Sequence, residues 1–396
     1  MTALPTFSRR ARWAVPAGAV AIAGAVTAGV LISAAASASP ELPAKTPAQL
    51  LAALAARTGP PPALTGTVVE SASLGIPQLP ELGNQNSPVS LLSGSHTIKV
   101  WYQNPAHLRL AMPVTMSETD VIRNGRQVWL WQSSKNSVTR LTLPARAAKA
   151  QATPMPSQVP LTPQQAASQA LKAVGPSTRV SVDRTATVAG QSAYQLVLSP
   201  KSSGSLVGRV SIAIDASNNV PLRVQIFARG ATAPAFQVGY TAISFVRPAA
   251  ANFSFSPPAG AKVKTVTLPS GPAGQQKPSA AQRQAASQVQ VVGKDWLSVA
   301  VLPASVLSEV TGGSMNGAAG QLAQSAVPGG QPGSGNGETA AVLHTLIAAA
   351  TPVHGAWGSG QLLHTSLVSM LITSNGHVLI GAVRPAVLEN AAAHLK

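Results

Sequence analysis

The chain has 396 residues, 45% of them hydrophobic and only 10% charged, with 28 Lys+Arg against 11 Asp+Glu, a net charge of +17 and no cysteine. That length accommodates two domains and a large core. The missing thiols exclude disulfides, zinc–thiolate centres, a cysteine nucleophile and lipid attachment through cysteine. On a cytosolic protein so basic a balance would point to nucleic acid, but the first forty residues direct the chain out of that compartment.

"MTALPTFSRRARW" supplies Arg9, Arg10 and Arg12 without an acid, and the stretch from Ala14 to Ser33 carries no charge. Ala36-Ser37-Ala38 then fits a small-residue cleavage site. Together these predict a secretory signal peptide over residues 1–38, with an uncleaved membrane anchor as the competing reading. The exported remainder is still strongly basic. It suits an anionic membrane surface or acidic wall polymer, or it is basic merely for solubility; no nucleic-acid partner is expected.

"TPAQLLAALAARTG" predicts the first helix: Thr46 as N-cap, Pro47 at the first helical position, Gln49 closing a capping box and Gly59 as stop. Leu50, Leu51, Leu54 and Ala55 form its apolar stripe. A long β region follows, built of hairpins, with a Pro/Asn/Ser loop at 77–94 and a Pro-punctuated loop before the second helix. That helix, "LTPQQAASQALKAVGP", repeats the cap logic through Thr162, Pro163, Gln165 and Gly175. Four or five further strands lead to "ANFSFSPPAGAKV". Residues 269–290 read as a linker. Residues 291–396 read as a small α+β domain: a strand "VQVVGKDWLSVAVLP", a Gly/Ser-rich loop, a helix "ETAAVLHTLIAAA", a hairpin turning at Asn375-Gly376, and a closing helix "PAVLENAAAH".

Little in the sequence carries reaction chemistry. There is no nucleophile-elbow motif, and Gly333, Gly335 and Gly337 lack the strand and helix that a phosphate loop needs. Glu118 and Asp120, two apart on one strand face, read as a solvated edge. His354, His364 and His377 share the C-terminal domain without a metal-ligand spacing. The expectation is a non-enzymatic binding protein with no cofactor, no metal and no catalytic residues, its binding chemistry apolar.

"VIRNGRQVWLWQSS" sharpens that expectation, because Trp129 and Trp131 flank Leu130 with Val128 beside them. Neighbouring strand residues point to opposite faces, so this strand is apolar on both sides. With Asn124-Gly125 as a two-residue type I′ loop, Val121 faces Val128, and Thr119, Val121, Val128 and Leu130 share a face read as inner and free of charge. Trp129, Trp131, Ile122, Glu118, Asp120 and Gln127 share a partly wet outer face. Two-sided core of a β-sandwich is the preferred description of any one such strand; a long curled sheet either fills its interior with side chains or leaves a cavity, and the scarcity of aromatics favours the cavity.

The capped helix, "GTVVE", "WYQNPAHLRLAM", the hairpin from Asn124 to Arg140, and an ending in Phe253, Phe255, Pro257, Pro258 and Gly260 occur in a fixed order. In that order they resemble the LolA/LolB-type lipoprotein carrier superfamily over residues 45–268, with a two-domain arrangement similar to RseB/MucB regulators. The resemblance implies a mainly β (α+β) fold: an unclosed antiparallel β-barrel with a helical lid, LolA-like, followed by the small α+β C-terminal domain. It further implies a cavity for lipid or lipoprotein acyl chains lined by Leu108, Leu110, Val121, Val128 and Leu130. The helices at 46–58 and 162–174 would form the lid, through Leu50, Leu51, Leu54 and Leu171. A monomeric carrier or chaperone is the expected form. The regulator pattern implies a different partner, a membrane anti-sigma factor. Where the carriers hold a lid-latching arginine, this sequence has Asn104.

Overall fold

A computed structural model of the chain describes residues 40–56, 60–75, 93–143, 161–267, 289–303 and 349–395. The export segment, Gly59, most of the 77–94 loop, the linker up to residue 288, the Gly/Ser-rich loop and the "ETAAVLHTLIAAA" helix up to residue 348 lie outside them.

Both helices expected early in the chain are present and short: α1 (Pro47–Ala55) and α2 (Pro163–Leu171). Each begins in a complete capping box, Thr46 with Gln49 and Thr162 with Gln165, with proline in the first turn. The reciprocal side-chain bonds satisfy two otherwise orphaned backbone N–H groups. α2 stops before Gly175, its cap being Lys172.

Twelve of the described strands form one sheet. In chain order they are β1 (Leu64–Ser73), β2 (Ser93–Asn104), β3 (His107–Val114), β4 (Ser117–Asn124), β5 (Gln127–Gln132), β6 (Ser137–Thr142), β7 (Thr178–Val188), β8 (Gln191–Pro200), β9 (Val207–Asp215), β10 (Pro221–Ala228), β11 (Phe236–Ser244) and β12 (Lys262–Thr267). Across the sheet the order is β12-β6-β5-β4-β3-β2-β1-β11-β10-β9-β8-β7. Every neighbouring pair is antiparallel except β12 with β6, which is parallel. β12 and β7 are the two ends and do not pair with each other, so the sheet is unclosed.

One side of this sheet forms a single apolar cluster. Val68 of β1, Leu110 of β3, Val121 of β4, Leu196 of β8, Ile212 of β9 and Val238 of β11 all belong to it, together with Leu50 of α1 and Ala166 of α2. An open sheet of twelve twisted strands curls as a rule, here over the face that carries this cluster and the two helices. α2 packs on β10 and β11, and α1 on β7.

A second sheet contains β13 (Gln290–Val292), β14 (Val299–Pro303), β15 (Thr351–Gly355), β16 (Gly358–His364), β17 (Ser369–Thr373) and β18 (His377–Gly381), in the order β13-β14-β18-β17-β16-β15. α3 (Pro385–Ala393) covers one face through Leu388, Ala391 and Ala392. The single strand expected over "VQVVGKDWLSVAVLP" is therefore two. Gly293 turns the chain at φ 82°, where a Cβ would stand 2.3 Å from the Leu297 carbonyl oxygen. A 3-10 turn at Asp295–Leu297 then sends β14 back against β13. Backbone bonds fasten this sheet to the large one: Leu206 N–H to Ala382 O at 2.9 Å, Arg384 N–H to Gly204 O at 2.8 Å and Ser366 N–H to Leu74 O at 2.8 Å.

Candidate binding site

The β4–β5 hairpin differs from its expected register. The pairs are Asn124 with Gln127, Ile122 with Trp129, Val121 with Leu130 and Asp120 with Trp131. The loop is thus Gly125-Arg126, and only Gly125 has a positive φ, 58°. A glycine at the first central position alone is the type II′ pattern, whereas I′ needs positive φ at both. The cause is the neighbouring turn: Gly125 N–H donates to Ala106 O at 2.8 Å and His107 pairs with Asn124, which keeps Asn124 within the strand. The slip amounts to two positions along the partner strand, and a two-residue slip leaves each side chain on its own face.

Val121, Val128 and Leu130 therefore share a face, joined by Leu108 and Leu110 through β3. All five belong to the large cluster: Leu110 is 2% exposed, Val121 and Val128 are buried as well, and Leu108 and Leu130 are half-buried. Of the expected lid residues, Leu50 is buried in the same cluster, and Leu51, Leu54 and Leu171 pack against it half-buried. The structure brings all nine residues to one apolar surface, which stays accessible at Leu108 and Leu130.

The inner face is not free of charge, as the sequence reading had it. Arg123 lies on it between Leu108 and Val128, fully covered, and donates from Nε to Gly125 O at 3.2 Å. Glu70 of β1 lies on it too, 3% exposed, opposite His96 of β2. The Glu70 carboxylate accepts the backbone N–H of Leu161 at 2.9 Å, one residue ahead of the α2 cap. Burial pushes the Glu70 carboxyl up, while the Leu161 bond and His96 pull it down. A single acid thus ties the start of the second helix to the sheet. Asn104 serves its own turn instead, accepting from Ala106 N–H at 2.9 Å and lying 3.1 Å from His107 Nδ1.

The outer face of the hairpin is also covered, by the segment that follows β11. Phe253 is buried with its ring edge-on to His107 (5.7 Å), and Phe255 lies 5.6 Å from Trp129 and 6.3 Å from Trp131. The chain turns at Gly260, whose carbonyl accepts from Asn136 Nδ2 at 3.0 Å, and adds β12 to the edge at β6. The expected "F-F-PP-G" ending is therefore a strap across the back of the sheet.

Under this cover the solvated edge expected of Glu118 and Asp120 is overturned for Asp120, while the Glu118 side chain stays partly exposed. Asp120 is 1% exposed and accepts a charge-assisted bond from Arg109 Nη2, with Glu118 3.6 Å from the same nitrogen. Burial, and sharing a bond with Glu118, push the Asp120 carboxyl up to about 7 against the opposing pull of Arg109. Arg109 also lies over the Trp101 ring at 5.2 Å. Sequence spacing could not show this, since Arg109 reaches Asp120 only through strand pairing.

His364 Nδ1 lies 3.0 Å from Ser369 Oγ, but Ser369 is buried and donates its proton to Val383 O at 2.8 Å. The hydroxyl proton goes to that carbonyl and not to the imidazole, so the pair is not arranged as a nucleophile and its base. Among the described residues no three His, Asp or Glu side chains gather as a metal site.

No protein-family model matches the sequence, and no curated protein matches it. Solved structures do. The complex of Pseudomonas aeruginosa MucA and MucB is similar at 13% identity, over 87% of this chain and 94% of that one, with a TM-score of 0.36. A LolA superfamily protein from Nitrosomonas europaea is similar at 12% identity, over 54% and 99%, with a TM-score of 0.23. A putative outer membrane lipoprotein-sorting protein domain from Vibrio parahaemolyticus is similar at 10% identity, over 49% and 90%, with a TM-score of 0.18. The likeness is one of fold.

Proposed function

We propose that the curled sheet is an exported, non-enzymatic holder of lipid or lipoprotein acyl chains, acting as carrier or chaperone. The observation that carries this reading is the apolar surface common to both halves of the large sheet and to both short helices, broken by the buried Arg123 and Glu70 and accessible at Leu108 and Leu130. An acyl chain needs no polar site of its own. Each methylene moved from water to such a surface contributes about 0.8 kcal/mol. The capped helices, one tied by Glu70, are the movable cover, and the basic balance of the chain favours approach to an anionic membrane. Native mass spectrometry of protein purified from its own cell envelope tests this. A bound lipid mass, displaced by added fatty acid, is expected; a bare polypeptide mass that takes up no fatty acid overturns it.

The second sheet supports a second reading, because the regulators the sequence resembles also carry a second domain after the barrel. In that reading the pair of sheets docks on a membrane anti-sigma factor. Co-purification of such a partner from membranes supports it, and its absence under cross-linking counts against it.

A further inference from the structure

We propose that the open back of the large sheet, from β7 across to β2, is the face that docks on the anionic headgroups of a membrane. This gives the membrane approach proposed above a place on the molecule and does not depend on acyl chains being held. Strand pairing puts Arg179 of β7, Arg209 of β9, Arg223 of β10 and Lys99 of β2 on that side. Arg179 and Lys99 are exposed, Arg209 and Arg223 half-buried. None of the four meets an acid among the described residues, where the ion pairs are those of Arg109. The carboxylates on the same side are engaged locally. Asp183 accepts the Arg184 backbone N–H at 2.8 Å, and Asp215, 1% exposed, accepts the N–H groups of Ser217 and Asn218 in its own turn.

The cations lie low. Arg223 extends over Gly239, where a Cβ would stand 2.8 Å from its Cγ, and Arg209 rests on the Phe227 ring at 3.6 Å. Val197 and Phe227 on this side are themselves buried. Positive charge held close to a sheet suits contact with a layer of phosphates, which guanidinium groups bind by charge-assisted hydrogen bonds, and needs no insertion into hydrocarbon. The other half of the back cannot serve in this way, because the Phe253–Phe255 strap covers it.

The place where the chain enters the fold supports the same side. β7 is the free border strand of the sheet. Its Thr185 Oγ1 donates to Pro40 O at 2.7 Å, Tyr194 OH of β8 donates to Pro43 O at 2.9 Å, and Lys45 lies over the Tyr194 ring at 4.6 Å. The charge-free stretch of the export segment ends at Ser33, seven residues before Pro40, a reach of at most about 25 Å. While that segment is attached, the β7 border stays within this reach of the membrane, and the basic back begins there with Arg179.

The test uses protein isolated from its own envelope, processed as the cell leaves it, on vesicles of phosphatidylcholine with and without phosphatidylglycerol. The chain has no cysteine, so single labels report position. A fluorophore on Ser181→Cys marks the back, and one on Met116→Cys, 98% exposed in the β3–β4 turn, marks the other half. A headgroup-borne quencher in vesicles containing phosphatidylglycerol is expected to reach the first label and not the second. Lys99→Gln with Arg179→Gln is expected to lower the docked-to-free ratio by about 25-fold, about fivefold for each charge. Lys262→Gln with Lys264→Gln removes the same charge from exposed positions of β12 and is expected to leave the ratio nearly unchanged. Equal losses from the two pairs, or quenching as strong at Met116→Cys as at Ser181→Cys, overturns the docking face. No quenching at either site overturns it too, and retention by isolated acidic wall polymer would then name the partner instead. None of these results touches the acyl-chain reading, which fatty-acid displacement tests by itself.

Discussion

The two halves of the large sheet treat their backs differently. Between β7 and β11 the outer side is largely polar: Gln225 Nε2 donates to Gln237 Oε1 at 2.6 Å, Ser211 lies against Gln195, Arg223 extends over Gly239, and Arg209 lies over the Phe227 ring. Between β3 and β6 the outer side holds Ile122, Trp129, Trp131 and Val138, with Phe253 and Phe255 of the strap upon them. Both halves are apolar within. A strand is therefore apolar on both sides where a later segment of the chain covers its back, and the tryptophan pair reports the strap and not a ligand. In the proposed reading the binding chemistry belongs to the inner side, the one surface the two halves share.

That comparison can be broken most forcefully at Phe253. Phe253→Ala removes the buried ring that seats the strap and is expected to cost about 3–5 kcal/mol, read as a lower urea midpoint; an unchanged midpoint would show that the strap does not hold the back of the sheet. On the inner side, Gly66 faces Tyr240, whose ring would lie 2.8 Å from a Cβ at that position. Gly66→Ala is expected to cost about 1–3 kcal/mol through overpacking, measured in the same way.

The buried acids give a pH test with a definite sign. Asp120 ionises at about 7 in the fold against 3.8 as a free group, so between those values the native state binds more protons than the unfolded chain. Stability from this group is full below about pH 4 and is lost as the pH rises through about 7; Glu70, also raised, acts in the same direction. The gain in melting temperature on acidifying from about pH 7 to about pH 5 is expected to shrink in Asp120→Asn. An identical pH profile in the variant would place the titration elsewhere. The smallest effect belongs to the polar back: Gln225→Ala is expected to change stability by less than about 0.5 kcal/mol, and a larger loss would mean that this surface too is covered.

Local rules carried much of this architecture. The capping boxes at Thr46 and Thr162 and the face shared by Val121, Val128 and Leu130 depend on neighbours in sequence, and the sequence reading located them. It missed what depends on distant pairing. β12 joins β6 as a parallel strand across more than a hundred residues, Arg109 meets Asp120 through the β3–β4 register, and Glu70 reaches Leu161. Arg123 was legible and overlooked, since it shares the odd-numbered face with Thr119 and Val121. The short strands β15 and β16, rich in Gly, Ser and Pro, carry too weak an alternation to be read as strands without the sheet that pairs them.

The central claim is that hydrocarbon lies against the inner side of the sheet and nowhere else. Photo-cross-linking with a diazirine-bearing fatty acid, followed by peptide mapping, tests it most directly. The account expects adducts on the strands carrying Leu108, Leu110 and Leu130, suppressed by excess unlabelled fatty acid. Adducts confined to Trp129, Trp131 and the Phe253–Phe255 strap, or none that competitor suppresses, would contradict it.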